Sequence, residues 1–479
     1  METPQLYAAV AAAFSLLVFF YLGYRASHTL YTDEDYYLAG RSVNSTGLSN
    51  SLTASTISLS TGLFIYFVLF PLYGIWIIGG MISYLIGLLI FYFIATHTSV
   101  DLNNFSTLGI FVVKSTGSRR LGNFTSFVNI LSFFTVLLVE FVVGVKIFSA
   151  IFPTLPYSDL VGFAVIASVV FAYVGLGGFK AIVTSDSWQF RLLAVGTAAL
   201  VISTIALYAK QGVDPAHYAG DLSQNQKLVY LAFAIVMNIT MPVAQLPSWQ
   251  RLAATSSDQR RKGYLVGIGK SFALWFSFLG VAFLVHNSGV AVATWSDLFN
   301  PLIQLGSIYA QLLFPLLFVG LVAALLSTAD SAAIAVVYSI IFVLHPEEDM
   351  RQPRLTRNKR RSMVILIAMF VLVAGLFFLY REFTAQTERT FMSLVFYLFG
   401  QLVVITPLIV SLAIGRSTFR SERATFYGVL IGWLVLSGGA FNDMITDTTQ
   451  WTFIGTIVGF MIASIFTLYG LKRTDNERA

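Results

Sequence analysis

The sequence predicts an all-α protein that crosses a lipid bilayer many times, and three observations carry this reading. The chain of 479 residues is 57% hydrophobic and only 11% charged. Its mean hydropathy is +0.77. Its apolar residues gather into many separate runs of about 20 residues, the length of a membrane-spanning helix and roughly twice that of a barrel strand. In hydrocarbon a backbone must satisfy its own hydrogen bonds, so runs of this length are helices.

Thirteen runs are read as spans, at 5–24, 46–70, 74–96, 122–151, 159–176, 183–208, 228–246, 263–286, 309–343, 362–380, 390–414, 424–440 and 452–471. The run at 309–343 is long enough to tilt or to extend beyond the bilayer. The first is read as a true span and not as a cleaved signal peptide, because no basic segment precedes it and its apolar core is too long. Sorting Lys and Arg onto alternate sides of these spans places about 22 on one side and about four on the other, a strong positive-inside bias. The rich side includes Arg260, Arg261, Lys262 and the run Arg351, Arg354, Arg357, Lys359, Arg360 and Arg361; the poor side holds Lys210, Lys227, Arg381 and Arg389. The expected orientation is an amino terminus outside and a carboxyl terminus in the cytoplasm.

Several classes of function are disfavoured. The net charge of +6 is explained by the cytoplasmic loops and does not call for nucleic acid. There is no cysteine, and the five histidines, His28, His97, His217, His286 and His345, are far apart and near ends of runs or in loops, so neither thiol chemistry nor a histidine metal site is expected. No phosphate-binding GxxxxGK[ST] loop, soluble domain or long linker is present, so transport would draw on an ion gradient. No obligate protein partner is evident; the expected partners are the bilayer and a small-molecule solute.

Polar clusters at bilayer depth are costly and point to function. The second span reads GLSNSLTASTISLSTG at 47–62, too polar for a lipid-facing helix. It is either a helix packed through small residues or an interrupted helix whose freed carbonyls bind a cation. In AALLSTADS at 323–331, Ala324, Ser327 and Thr328 stand at i, i+3 and i+4, aligning a carbonyl and two hydroxyls on one face. Hard oxygen donors of this kind suit Na⁺. Ser331 extends that face by a turn, and Asp330 stacks over Ser327 on the cytoplasmic side.

The Gly-rich turn and helix start GLGGFKAIVTSDSWQF at 175–190 carries Asp186, which is either a helix-dipole partner or, with Asp330, a second cation or proton station. VMNITMPVAQLPSWQR at 236–251 breaks a hydrophobic run with Asn238, Thr240, Pro242, Gln245 and Pro247; it is a kink or a second interrupted helix, five spans after the first. Glu140, within LLVEFVVGVK, lies mid-span, where it must be protonated, paired or turned to a watery cavity; Lys146 is off its face.

Taken together these segments resemble the sodium/solute symporter family, the carriers of sugars, proline, pantothenate and sialic acid. The carrying stretches are DYYLAGRSVNSTGLS at 35–49, ASTIS at 54–58, GGFKAIVTSDSWQ at 177–189, SWQRLAATSSDQRRKG at 248–263 and AALLSTADS at 323–331, in the family's order. The resemblance implies a leucine-transporter-type fold in a single transmembrane domain with a five-plus-five inverted-repeat core. Residues 1–45 would hold an extra first helix and a cytoplasmic loop, 46–208 the first repeat, 228–414 the second, and 424–479 two further helices and a tail. It implies a Na⁺ site made by the carbonyls of Ala54, Ile57 and Ala324 and the hydroxyls of Ser327 and Thr328. A second cation or proton site would use Asp186, Ser327, Asp330 and Ser331.

Solute-cavity candidates are Ser55, Thr56, Ser58, Glu140, Asn238, Thr240 and Gln245. Two departures bear on stoichiometry: Thr56 stands where proline-type members have Asp, and Asp330 where members with a second sodium site have Ser or Thr. Glu140 lies near a cavity position that is often Gln in the family, which fits a cationic or amine-bearing solute. The expected function is import of a small polar organic solute across the cell membrane with Na⁺ as the co-transported ion, and not enzymatic catalysis. The alternatives are proton coupling on the same fold and the membrane module of a sensor.

Overall fold

The computed structural model describes residues 3–60, 62, 69–98, 100–208, 220–287, 308–344, 355–383 and 388–473. Lys210, His217, His345, Arg351 and Arg354 lie outside them, as do the side chains of Arg381 and Arg389. The chain is helical almost throughout. In order the helices are α1 (Thr3–Ser27), α2 (Asp33–Leu38), α3 (Ser45–Thr56), α4 (Phe70–Tyr73), α5 (Ile77–His97), α6 (Leu108–Thr116), α7 (Arg119–Ile151) and α8 (Ser158–Tyr208). They continue with α9 (Gln224–Ala244), α10 (Leu246–Ala254), α11 (Arg260–Asn287), α12 (Ile308–Leu344), α13 (Leu355–Phe383), α14 (Glu388–Ala413), α15 (Glu422–Thr446) and α16 (Gln450–Gly470). Among the described residues eleven helices are long and apolar enough to cross a membrane, which makes this a multi-pass membrane protein.

Three interruptions shape the molecule, and each has a local cause. Helix α3 ends where Ile57 leaves helical geometry at φ −95° and ψ 86°, so the second span is broken inside its Ser/Thr-rich stretch. Helices α9 and α10 are divided by Gln245 alone, at φ −81° and ψ 106°, ahead of Pro247. The break falls there and not at Pro242, which α9 accommodates inside its last turn. Helix α8 would be about 77 Å long if straight, more than twice the hydrocarbon thickness. It is divided at Gly178, whose φ of 56° and ψ of −149° suit glycine alone. The gap expected between the spans at 159–176 and 183–208 therefore shrinks to this single residue.

Burial separates a central set of helices from a peripheral one. In α7, α12 and α14 the most apolar windows are 72%, 78% and 78% buried, against 28% in α1 and α13. The outer helices present their apolar side chains outward, as lipid-facing surfaces do. Gly196 on α8 and Gly320 on α12 bring those two helices together: a Cβ on either would lie within 2.8 Å of the other's Cα. That close approach sets Asp186, further down α8, against the Ser327 region of α12. A two-residue antiparallel ladder, β1 (Thr418–Phe419) with β2 (Leu471–Lys472), ties the segment after α14 to the end of α16.

Candidate functional site

Asp186 is completely buried and forms the hub of a polar node joining four helices. Its Oδ1 accepts a hydrogen bond of 2.7 Å from Ser327 Oγ on α12, and its Oδ2 accepts one from Ser51 Oγ on α3. The Nη2 of Arg251, on α10, stands 3.6 Å from the same Oδ2. Arg251 is itself only 2% exposed and donates to Ser51 Oγ at 2.9 Å, to Ser331 Oγ at 2.7 Å and to the carbonyl of Pro247 at 3.3 Å. Ser331 Oγ in turn donates to Asp330 Oδ1 at 3.2 Å, and Asp330 Oδ2 is buried with no hydrogen-bond partner. The four residues expected to form a second cation site, Asp186, Ser327, Asp330 and Ser331, are thus linked in space. A guanidinium, however, supplies the positive charge beside Asp186.

Arg251 and Ser51 are the members that the sequence reading did not assign to the site. The available signal was the position of Arg251 among Leu246, Pro247, Trp249 and Leu252, a cation in an otherwise apolar segment. Gln189, one turn along α8 from Asp186, adds further polar capacity at this depth: it is fully buried, and neither amide atom has a partner.

The break in α3 is held by Glu140. Its Oε1 accepts from Ser58 Oγ at 2.6 Å, from Ser60 Oγ and from Ser60 N at 3.3 Å. A mid-span carboxylate on α7 therefore satisfies donors that the interrupted helix leaves behind, which is the role its depth required. The last carbonyls of α3, including that of Ala54, stand at a helix end, where no residue four positions on completes the ladder.

Across from that break, Thr328 is 8% exposed and its Oγ1 has no hydrogen-bond partner. Ser327 directs its hydroxyl proton at Asp186, which leaves the oxygen lone pairs available to a cation. An orphaned buried hydroxyl beside a helix break is a hard oxygen donor of the kind a cation takes.

A cavity of about 140 Å³ lies between the two interrupted helices. By the threshold of about 10–15 Å³ for one water, it has room for roughly ten. Of the solute-cavity candidates, Ser55, Thr56, Ser58, Asn238 and Gln245 line it, joined by Ser248, Arg251, Ser271, Thr328 and Ser331. The rest is apolar and strongly aromatic, including Tyr84, Phe133, Tyr230, Phe272, Trp275 and Phe399. Glu140 and Thr240 are not among the lining residues. Glu140 is turned to the α3 break, and the Thr240 hydroxyl is satisfied within its own helix by the Val236 carbonyl at 2.7 Å. The charged side chain at the cavity wall is cationic, so the expectation of an amine-bearing solute loses its support.

No protein-family model and no curated protein matches the sequence. Similar solved structures do exist. One is a Na⁺-coupled sialic acid symporter in a substrate-bound, outward-open state; the likeness covers 98% of this chain and 99% of that one at a TM-score of 0.72 and 14% identity. A manganese transporter from Eremococcus coleocola matches over 88% of this chain and 93% of its own, with a TM-score of 0.55 and 12% identity. MhsT in complex with L-phenylalanine matches over 88% and 98%, with a TM-score of 0.53 and 16% identity. At these identities the likeness establishes the fold, which is the leucine-transporter type anticipated from the sequence.

Proposed function

We propose that the chain is a sodium-coupled secondary active symporter of the sodium/solute symporter family, which carries a small organic solute across the cell membrane by alternating access. The observation that carries this reading is the meeting of an interrupted helix, an orphaned buried hydroxyl at Thr328 and a serine polarised by Asp186, all beside one cavity. The fold shared with a Na⁺-coupled symporter supports it. Thirteen spans follow when Ser158–Tyr208 counts as two and the broken segment that begins at Ser45 as one more. The amino terminus is then outside, and the paired breaks at Ile57 and Gln245 belong to the two halves of an inverted repeat.

In this mechanism Na⁺ binds to the carbonyls of Ala54, Ile57 and Ala324 and to Ser327 and Thr328. It bridges the unwound end of α3 to α12 and so fixes the wall formed by Ser55, Thr56 and Ser58. The solute then enters a cavity already ordered. Coupling is reciprocal, so solute raises sodium affinity by the same factor. With Arg251 already beside Asp186, one sodium per cycle is the stoichiometry this geometry supports. The aromatic walls suit a solute with an apolar body, and the polar end at Ser55, Thr56, Gln245 and Ser248 suits hydrogen-bonding groups.

A second reading, proton coupling, is favoured by one observation: the buried, unpartnered Oδ2 of Asp330. Uptake into proteoliposomes under separate sodium and proton gradients distinguishes the two. Sodium-driven uptake abolished by Ser327→Ala with Thr328→Ala supports the sodium site; uptake that ignores sodium and is lost in Asp330→Asn moves the assignment to protons.

A further inference from the structure

At one membrane surface, away from the cavity, four basic residues converge on a second pocket. Arg416 and Arg420 follow the end of α14, and Lys472 and Arg473 follow the end of α16. With Ile414, Leu468 and Leu471 they line a concavity of about 460 Å³. The arrangement is held rather than loose. The β1–β2 ladder pairs Thr418 with Lys472 and Phe419 with Leu471, and the backbone N–H groups of Arg420 and Ser421 both donate to the carbonyl of Gly470. Gly470 permits this closeness, because a Cβ there would fall 2.1 Å from Thr425 Oγ1.

None of the four cations forms an ion pair or side-chain hydrogen bond with a described residue. Glu422, two residues past Arg420, accepts instead from Ser118, the N-cap of α7, and Asp475, two residues past Arg473, lies outside the described residues. A general excess of basic residues on the cytoplasmic side explains their presence on this surface but not their convergence on one rigid concavity. Nor is the rim purely polar: Ile414, just past the end of α14, is 49% exposed and Leu468, on α16, 52%.

We infer that this pocket binds the phosphate headgroup of an anionic phospholipid, with its acyl chains lying against Ile414 and Leu468. Clustered basic side chains at a membrane surface attract anionic lipids, and uncompensated guanidinium groups recognise phosphate oxygens through paired N–H donors. The apolar rim commits the site to a lipid, since a free phosphate gains nothing from exposed Leu and Ile. The segments that follow α14 and α16 are thereby anchored to the bilayer surface. The inference is independent of what the central cavity carries.

The test is native mass spectrometry of the full chain titrated with dioleoyl-phosphatidylglycerol and, separately, with dioleoyl-phosphatidylcholine. Phosphatidylglycerol is expected to bind tighter, and each of Arg416→Gln and Lys472→Gln to weaken it by about fivefold, the effect of one basic residue next to an anionic surface. Arg261→Gln with Lys262→Gln, in the first turn of α11, should leave binding unchanged. Both single variants are at the surface, and their melting in phosphatidylcholine checks that they fold. Equal binding of the two lipids, unaltered binding by both single variants, an equal loss in the α11 control, or displacement by inorganic phosphate would overturn the assignment.

Discussion

Removing the guanidinium of Arg251 is the perturbation whose outcome the structure fixes most tightly. In Arg251→Gln the side chain keeps hydrogen-bonding capacity, but Asp186, with 0% of its side chain exposed, loses its cation. At 3.6 Å and an effective dielectric of about 20 the lost Coulomb attraction is between about 4 and 5 kcal/mol. Mutational experience with buried pairs, in which removing one partner costs roughly 3–5 kcal/mol, agrees. Asp186→Asn should cost a similar amount by stranding Arg251. The double variant has no net buried charge and should be markedly more stable than either single one, with a coupling energy of at least about 2 kcal/mol. The assay is thermal melting of the four proteins in detergent, in sodium and in choline. Sodium should raise the melting temperature of Arg251→Gln more steeply than that of the wild type, because the vacated carboxylate becomes available to a cation. A double variant no better than the singles, or an Arg251→Gln protein indifferent to sodium, would refute the description of the node.

Three further predictions concern the elements around it. Glu140→Ala strips the acceptor from three donors at the α3 break; at about 0.6 kcal/mol for an average intramembrane hydrogen bond it should cost about 2 kcal/mol. Glu140→Gln, which retains one acceptor oxygen, should cost less, and melting curves compare the two. Thr328→Ala removes one proposed sodium ligand and should raise the half-saturating sodium concentration for uptake roughly tenfold or more, since contacts to charged groups contribute about 1.5–3 kcal/mol. Gly178→Ala places a Cβ 2.4 Å from the carbonyl oxygen of Tyr36 in a backbone region reserved for glycine. It should destabilise by about 1–3 kcal/mol or more, seen as reduced yield of folded protein and a lower melting temperature.

The helices themselves were legible because the bilayer imposes one length and one composition on every span. The interruption of the second span could be expected from its Ser/Thr density, and the second break from Pro247, although its position at Gln245 required the structure. Ser327 and Thr328 could be placed on one face from spacing alone, because i, i+3 and i+4 is a property of the helix. What spacing cannot supply is partnership between helices. Glu140 read as a cavity residue because its depth was evident and its serine partners, some eighty residues earlier, were not. Arg251 was passed over for the same reason: the carboxylate that neutralises it is on another helix. Asp186 and Asp330 could be marked as buried carboxylates from the sequence, yet only the folded chain reveals that a cation of the protein's own stands beside Asp186 and reaches Asp330 through Ser331.

The central claim, that solute binding in the cavity is linked to sodium at Ser327 and Thr328, is tested most directly by thermal shift of the purified protein. It would be screened against amino acids, sugars, small carboxylates, nucleobases and polyamines, each in sodium chloride and in choline chloride. The account predicts a solute that raises the melting temperature in sodium only, with the effect lost in Ser327→Ala with Thr328→Ala. Stabilisation by a solute that is the same in both salts and varies with pH would contradict it.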